Sequence, residues 1–286
     1  MSACFFLLTN AQEKTVNLSL KEAVDFAIEN SYNTKASKYN IKSAQEKVWE
    51  TTSTGLPQIS GNLEYQNWIK QQVSLADFNG DGTDEVFVFG KKQGANAFLT
   101  VQQLLFNGSY LVGLQASKTY LKISEQANEK TELQTREAVI NAYGNVLITE
   151  NSIDILKGNI KILEKNLSDA KKIYENGFNE EEDIEQLEIT LGNLKNQLNG
   201  VIRMKGISYK MLNLSMGSPI ETTLILTDSL DSLTEGNINL ELISAPFDFS
   251  NHIDFKISEN DRESKRLLMR LEQSKALPSL SAFVNY

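Results

Sequence analysis

The apolar positions of the chain follow two rhythms that come in blocks. From Leu156 the spacing runs four, three, four, three, four, through Ile160, Leu163, Leu167, Ala170 and Tyr174. After an interruption at NGFNEEED it resumes through Leu187, Leu191, Leu194, Leu198 and Val201. This is the seam of long helices packed knobs-into-holes. No proline lies between Ser109 and Asn176, so the pattern predicts long helices over about 109–176 and 181–216. Gly177 is placed to end the first, since a left-handed closing residue suits glycine. Glu180 to Asp183 open the second, where negative charge favours a helix N-terminus. The short break makes the pair an antiparallel hairpin. A helix of roughly 65 residues reaches on the order of 100 Å, and a lone hairpin of that length buries too little core, so it needs partner hairpins.

Elsewhere the period is two. Ile59, Leu63, Tyr65, Ile69 and Val73 share one face, with Gly61, Asn67 and Gln71 between them. Gln58, Ser60, Asn62, Glu64, Gln66, Lys70 and Gln72 occupy the other. Such a strand either covers a soluble core or belongs to a membrane barrel. A strand over about 57–75 exceeds the usual soluble length, which favours the barrel. A second, weaker alternation runs over about 93–107, and the glycine-rich stretch between them makes the pair a hairpin.

The unit occurs twice. GLPQISGNLEY at 55–65 and ALPSLSAFVNY at 276–286 share a Leu-Pro, a Ser three residues after it and a final Tyr, at the constant offset that carries Pro57 to Pro278. The same offset pairs Asn30 with Asn251, Lys35 with Lys256, Ser37 with Ser258 and Ser43 with Ser264. Leu280, Ala282, Val284 and Tyr286 keep the strand parity of the first copy. Both prolines end helix-like charged segments, giving expected helices at 19–54 and about 250–275, and a strand from 278. The first structural repeat is thus expected over 12–217 and the start of a second over 250–286. The intervening 218–249, which follows Gly217 and contains Pro219 and Gly236, reads as an irregular linker, with a short strand at Thr222–Leu226.

Composition narrows the function classes. A net charge of −9 with no basic cluster argues against a nucleic-acid binder, which neutralises phosphates with Lys and Arg. One cysteine (Cys4) and one histidine (His252), without a nucleophile turn, give no catalytic or zinc constellation. Ala3 to Leu8 followed by Thr9-Asn10-Ala11 reads as the remnant of a signal peptide over 1–11, its basic start missing. Cys4 as a lipoprotein acylation site fits less well, because an apolar run follows it.

DFNGDGTDEV, 77–86, imitates a calcium loop with Asp77, Asn79 and Asp81 followed by Gly82. Counted as an EF-hand loop, its twelfth position is Val88, where a bidentate Glu should stand, and strands rather than helices flank it. The favoured reading is a chain reversal through Asn79-Gly80 and Asp81-Gly82 at a hairpin tip. A looser calcium loop with Glu85 as a ligand remains the alternative.

The order of these elements resembles the outer-membrane efflux proteins, the TolC-like family. SLKEAVDFAIENS (19–31), LPQISGNLEY, QQLLFNGSYLVGLQASK (102–118), AVINAYGNVL (138–147) and YENGFNEEEDIEQLE (174–188) carry the resemblance over most of residues 15–286. It implies a mainly α, mixed fold: a long α-helical hairpin of a helical tunnel plus a membrane β-hairpin of a trimeric β-barrel. It further implies a passive outer-membrane conduit of a Gram-negative bacterium, homotrimeric at full length and embedded in outer-membrane lipid. An inner-membrane pump and a periplasmic adaptor deliver the substrate, with no cofactor and no nucleic acid. On the Tyr174-x-x-Gly177-(x)5-Asp183 pattern, Gly177 and Phe178 match the adaptor-docking tip and Asp183 an acidic position near the periplasmic entrance. The loop of Asp77, Asn79, Gly80, Asp81 and Gly82 is then extracellular. The resemblance departs where the second repeat stops inside its first strand, so the chain is expected to be a fragment of a longer protein, cut at both ends. The competing reading is a calcium-stabilised coiled-coil structural or adhesion protein. A periplasmic adaptor is disfavoured by the long alternating strands.

Overall fold

The computed structural model describes residues 16–76, 80, 82, 85–88, 90–178, 180–236 and 248–286. The expected signal remnant, 1–11, lies outside them. Two compact units emerge: Met1–Lys42 with Ile123–Ser258, and Ser43–Lys122 with Glu259–Tyr286. They cut across the expected repeats, because three helices run on from one unit into the other.

The first unit begins with a short strand, β1 (Val16–Leu18), and helix α1 (Leu20–Asn30). Ser19 and Glu22 form a capping box, the Glu22 carboxylate accepting the Ser19 N–H at 2.8 Å. The single helix expected over 19–54 is in fact two, α1 and α2 (Tyr32–Ser53). Ser31 stands between them in extended conformation, with ψ at 147°, and its hydroxyl accepts the Thr34 N–H at 3.2 Å. A serine that bonds the backbone three residues ahead starts a new helix, which is why the chain breaks there.

Helices α3 (Gly108–Glu175) and α4 (Glu181–Met216) form the long hairpin. Leu156 and Ile160 are buried, and Leu163, Leu167, Leu187, Leu191, Leu194, Leu198 and Val201 half-buried, as a seam between packed helices requires. Tyr174, the last residue assigned to that seam, is instead exposed, lying one turn from the hairpin end. Lys171 pairs with Glu188 at 2.7 Å, Glu164 with Lys195 at 2.8 Å, and Glu150 accepts from the Tyr209 hydroxyl at 2.9 Å. All three pairs obey one antiparallel register. The two exposed ion pairs contribute at most about 1 kcal/mol each, so they select the register more than they stabilise it.

The hairpin base packs on α1 through a cluster of Ala23, Val24, Ala27, Val139, Tyr143, Val146, Leu212 and Met216. The expected linker contributes to this core. Within it β6 (Leu224–Leu226) pairs in parallel with β1, Leu224 is buried, and helix α5 (Leu230–Gly236) follows. Tyr143, fully buried, ties these pieces together: its hydroxyl lies 3.1 Å from both the Leu18 carbonyl and the Asp228 carboxylate. The same carboxylate accepts the Leu20 N–H at 2.6 Å, at the start of α1.

Burial pushes the Tyr143 phenol up to about 12, and burial followed by the Glu150 hydrogen bond raises Tyr209 as well. A folded-state value above the unfolded one favours the protonated form. The stabilisation is therefore complete below pH about 10 and lost as pH rises from there through about 12. Alkaline unfolding followed by circular dichroism is expected in that window, and Tyr143→Phe should flatten it. An unchanged pH dependence in that variant would remove Tyr143 as its source.

The second repeat enters through a 3₁₀ turn at Phe249–Asn251 and helix α6 (Ile253–Ser274). Lys130 holds Asp254 at 2.6 Å and keeps that carboxyl below its ordinary range, while Lys256 reaches Glu129 at 3.6 Å. The offset that carries Pro57 to Pro278 also separates the helix ends, since α2 and α6 start at Tyr32 and Ile253 and end at Ser53 and Ser274. The turn bonds repeat too: Gly55 N–H to Thr52 O and Leu56 N–H to Ser53 O become Ala276 to Gln273 and Leu277 to Ser274.

The second unit is built on a three-stranded antiparallel sheet in the order β2 (Gln58–Asn67), β5 (Gln93–Asn107), β7 (Ser279–Asn285). The strands that begin the two repeats thus flank the same central strand. The strand expected over 57–75 is not continuous. It ends at Asn67, and after an irregular stretch β3 (Val73–Ala76) pairs with β4 (Glu85–Val88) as a separate ribbon. Gly90, in the left-handed region at φ 83°, lies on the returning chain beside this interruption, and the Gln71 side chain bonds its carbonyl at 3.0 Å.

Candidate functional site

The sheet has two chemically different faces, set by register. Directly opposed residues of an antiparallel pair share a face. Ile59 opposes Val101, Gly61 Leu99, Leu63 Ala97 and Tyr65 Ala95, and on the other side of β5 Val101 opposes Val284. That face is mainly aliphatic and aromatic, with Asn67 and Gln93 at its loop end and Gln103 beside Ala282 as its polar members. The opposite face pairs Gln58 with Gln102, Ser60 with Thr100 and Glu64 with Asn96, with Phe98, Leu104 and Phe283 as its apolar exceptions. The apolar face is nevertheless bare: Ile59 is 70% exposed, Leu63 77% and Val284 69%.

The alternation within β5 is weak in sequence because the strand carries an irregularity. Gln103 opposes Ala282 and Leu104 opposes Ser281, but the register then shifts and Phe106, rather than Leu105, opposes Leu280. An extra residue in one strand reverses parity from that point on. The bulge returns Phe106 to the apolar face and hides a regular two-sided ribbon from a period-two scan.

In the first unit, the hairpin tip closes as a Schellman turn. Gly177 takes φ 80°, its N–H bonds Tyr174 O at 2.8 Å, and Phe178 N–H bonds Ile173 O at 3.2 Å. This satisfies the last carbonyls of α3 and leaves the Phe178 side chain 85% exposed. Glu181, Glu182 and Asp183 occupy the first turn of α4, complementing the positive end of its dipole. Asp183 is exposed, one residue before buried Ile184. Gly177, Phe178 and Asp183 are therefore brought to one end of one hairpin.

In the loop, Gly80 and Gly82 adopt φ 70° and 83°, the left-handed conformations of a tight reversal. Asp77, Asn79 and Asp81 lie outside the described residues. Among the described residues no cluster of three acidic, His or Cys side chains is arranged to hold a metal ion.

A scan against protein-family models and a search of curated proteins both give no match. Comparison with solved structures does. The outer membrane protein VceC of Vibrio cholerae superposes with TM-score 0.69 at 15% identity, over 93% of this chain and 62% of its own. The CmeC outer membrane channel of Campylobacter jejuni gives 0.65 at 20%, over 92% and 55%. The open-state MtrE outer membrane channel of Neisseria gonorrhoeae gives 0.61 at 12%, over 93% and 62%. The chain has the TolC-like channel fold. It spans 55–62% of the length of these three channels.

Proposed function

We propose that the chain is part of an outer-membrane channel, a passive conduit in a tripartite efflux or type I export system of a Gram-negative bacterium. The observation that carries this is the β2–β5–β7 sheet, with one predominantly apolar face left uncovered and a predominantly polar face opposite. Ten residues in β2 suit a tilted strand crossing a bilayer, and alternation of apolar and polar faces is what a lipid-facing, water-lined barrel requires. No helix among the described residues is long and apolar enough to cross a membrane.

Lipid tolerates no open sheet edge, so the strands close with those of other copies, in a homotrimer at full length. The helical hairpin carries a second exposed stripe at Met204, Ile207, Met211 and Leu214, spaced three, four, three, for the same neighbours. The tip, with Phe178 projecting beside Gly177, docks the periplasmic adaptor. Asp183 stands near the periplasmic entrance. The Gly80 and Gly82 turn is extracellular. An inner-membrane pump supplies the energy, and the conduit needs neither catalysis nor a cofactor.

The native gene product in its own cells should appear as a trimer in the outer-membrane fraction. A soluble periplasmic monomer would sink the reading. Leu63→Arg, in mid-strand on the apolar face, should cost about 2–4 kcal/mol per copy and sharply reduce assembled trimer. Ser60→Arg, on the polar face, should leave assembly near normal. Equal effects of the two substitutions would contradict the assignment of the faces.

A further inference from the structure

The charges of the sheet are distributed unevenly. β2, β5 and β7 together contain one ionisable carboxylate, Glu64, and no lysine or arginine. Immediately beyond the loop-side ends of β2 and β5 come Lys70, Lys91 and Lys92, all exposed. Two cross-links hold these segments together: the Trp68 N–H donates to the Lys92 carbonyl at 2.9 Å and the Gln71 amide to the Gly90 carbonyl at 3.0 Å. No carboxylate among the described residues forms an ion pair with any of the three lysines. In a chain of net charge −9, three cations at one level of one ribbon, none of them ion-paired among the described residues, suit an anionic partner.

The neighbours indicate which one. Tyr65 lies on the apolar face near the end of β2, and Trp68 follows one residue past it, half exposed. Aromatic rings at the margin of an apolar band mark a membrane–water interface. Lysines just beyond extend their charged ends to the headgroup layer. On the channel reading, on which this inference rests, the geometry assigns Lys70, Lys91 and Lys92 as a basic collar that binds the phosphate groups of anionic lipid. The collar fixes the depth of the hairpin in the bilayer and separates the membrane ribbon from the β3–β4 ribbon beyond.

The test uses the full chain refolded into phosphatidylcholine vesicles with and without phosphatidylglycerol. Lipids retained on the protein are counted by native mass spectrometry. Phosphatidylglycerol should be enriched about tenfold over phosphatidylcholine. Substituting Lys70, Lys91 and Lys92 together by glutamine should abolish the preference, while the same change at the exposed helical residues Lys157, Lys161 and Lys165 should not. Equal retention in both triple variants overturns the collar. So does displacement of the lipid by millimolar inorganic phosphate, which would make it a free-anion site. In a Trp49→Phe background, quenching of Trp68 by brominated acyl chains reports separately on insertion. Quenching without a collar effect refutes the collar alone. Absence of quenching refutes the membrane reading, and the collar with it.

Discussion

Gly217→Ala is expected to destabilise the first unit by about 3 kcal/mol, against about 1 kcal/mol for Gly177→Ala. The two glycines close the two long helices in nearly the same conformation, φ 75° and 80°, and both close them as Schellman turns, with Ser218 N–H bonding Asn213 O at 2.9 Å in the second case. The backbone penalty for a side chain at positive φ is therefore shared. The surroundings differ. A β-carbon at Gly177 meets nothing within 4 Å, whereas at Gly217 it runs into the Asn30 carbonyl oxygen and lies 2.7 Å from Ser31 Cα. Neither neighbour is a flexible side chain. The chain at the α1–α2 break passes directly over the end of α4, and glycine is what allows that approach. Hydrogen-exchange protection of the amides of α1 and the end of α4 measures the cost. Similar losses from both substitutions would show that the close approach does not matter.

Tyr143→Ala should cost about 4 kcal/mol, the usual scale for emptying a large buried aromatic site, and Tyr143→Phe about 1–2 kcal/mol. The difference separates two roles of one residue. Its ring fills the cluster formed with Val139, Val146, Leu212 and Met216. Its hydroxyl helps hold the Asp228 carboxylate against the Leu20 N–H. Phenylalanine keeps the first role and gives up the second. If urea unfolding shows the two variants equally destabilised, the hydroxyl dominates and the packing argument fails.

Different parts of this architecture were legible to different degrees. The long helical hairpin is written plainly, since a 4-3 seam extends through dozens of residues and glycine stands at each helix end. The break at Ser31 carries only a local signal, a serine three residues before Thr34 inside an otherwise helical charged stretch, and a single capping hydroxyl changes no periodicity. The interruption after Asn67 is hidden for the opposite reason: the alternation of side chains continues through Ile69 and Val73 although the ladder stops. In β5 the pattern understates the strand, because the irregularity at Leu104–Phe106 shifts the parity. The linker's contribution to the core is invisible from a distance in sequence, since β6 meets β1 some two hundred residues earlier. At the candidate site, Gly177, Phe178 and Asp183 are neighbours in sequence and so fall together. The apolar sheet face needs three strands in register before it can be recognised as one surface. The lysines beyond it mean little until the strand ends are known.

The ladder of cross-pairs along the hairpin also limits how such a molecule can change length. Glu164–Lys195 and Lys171–Glu188 match only while both arms keep step, and the apolar seam matches only in whole heptads. A single residue inserted into one arm rotates everything between it and the tip away from its partner. Natural variants of the hairpin should therefore differ by blocks of about seven residues present in both arms at once, so that its reach changes in discrete steps.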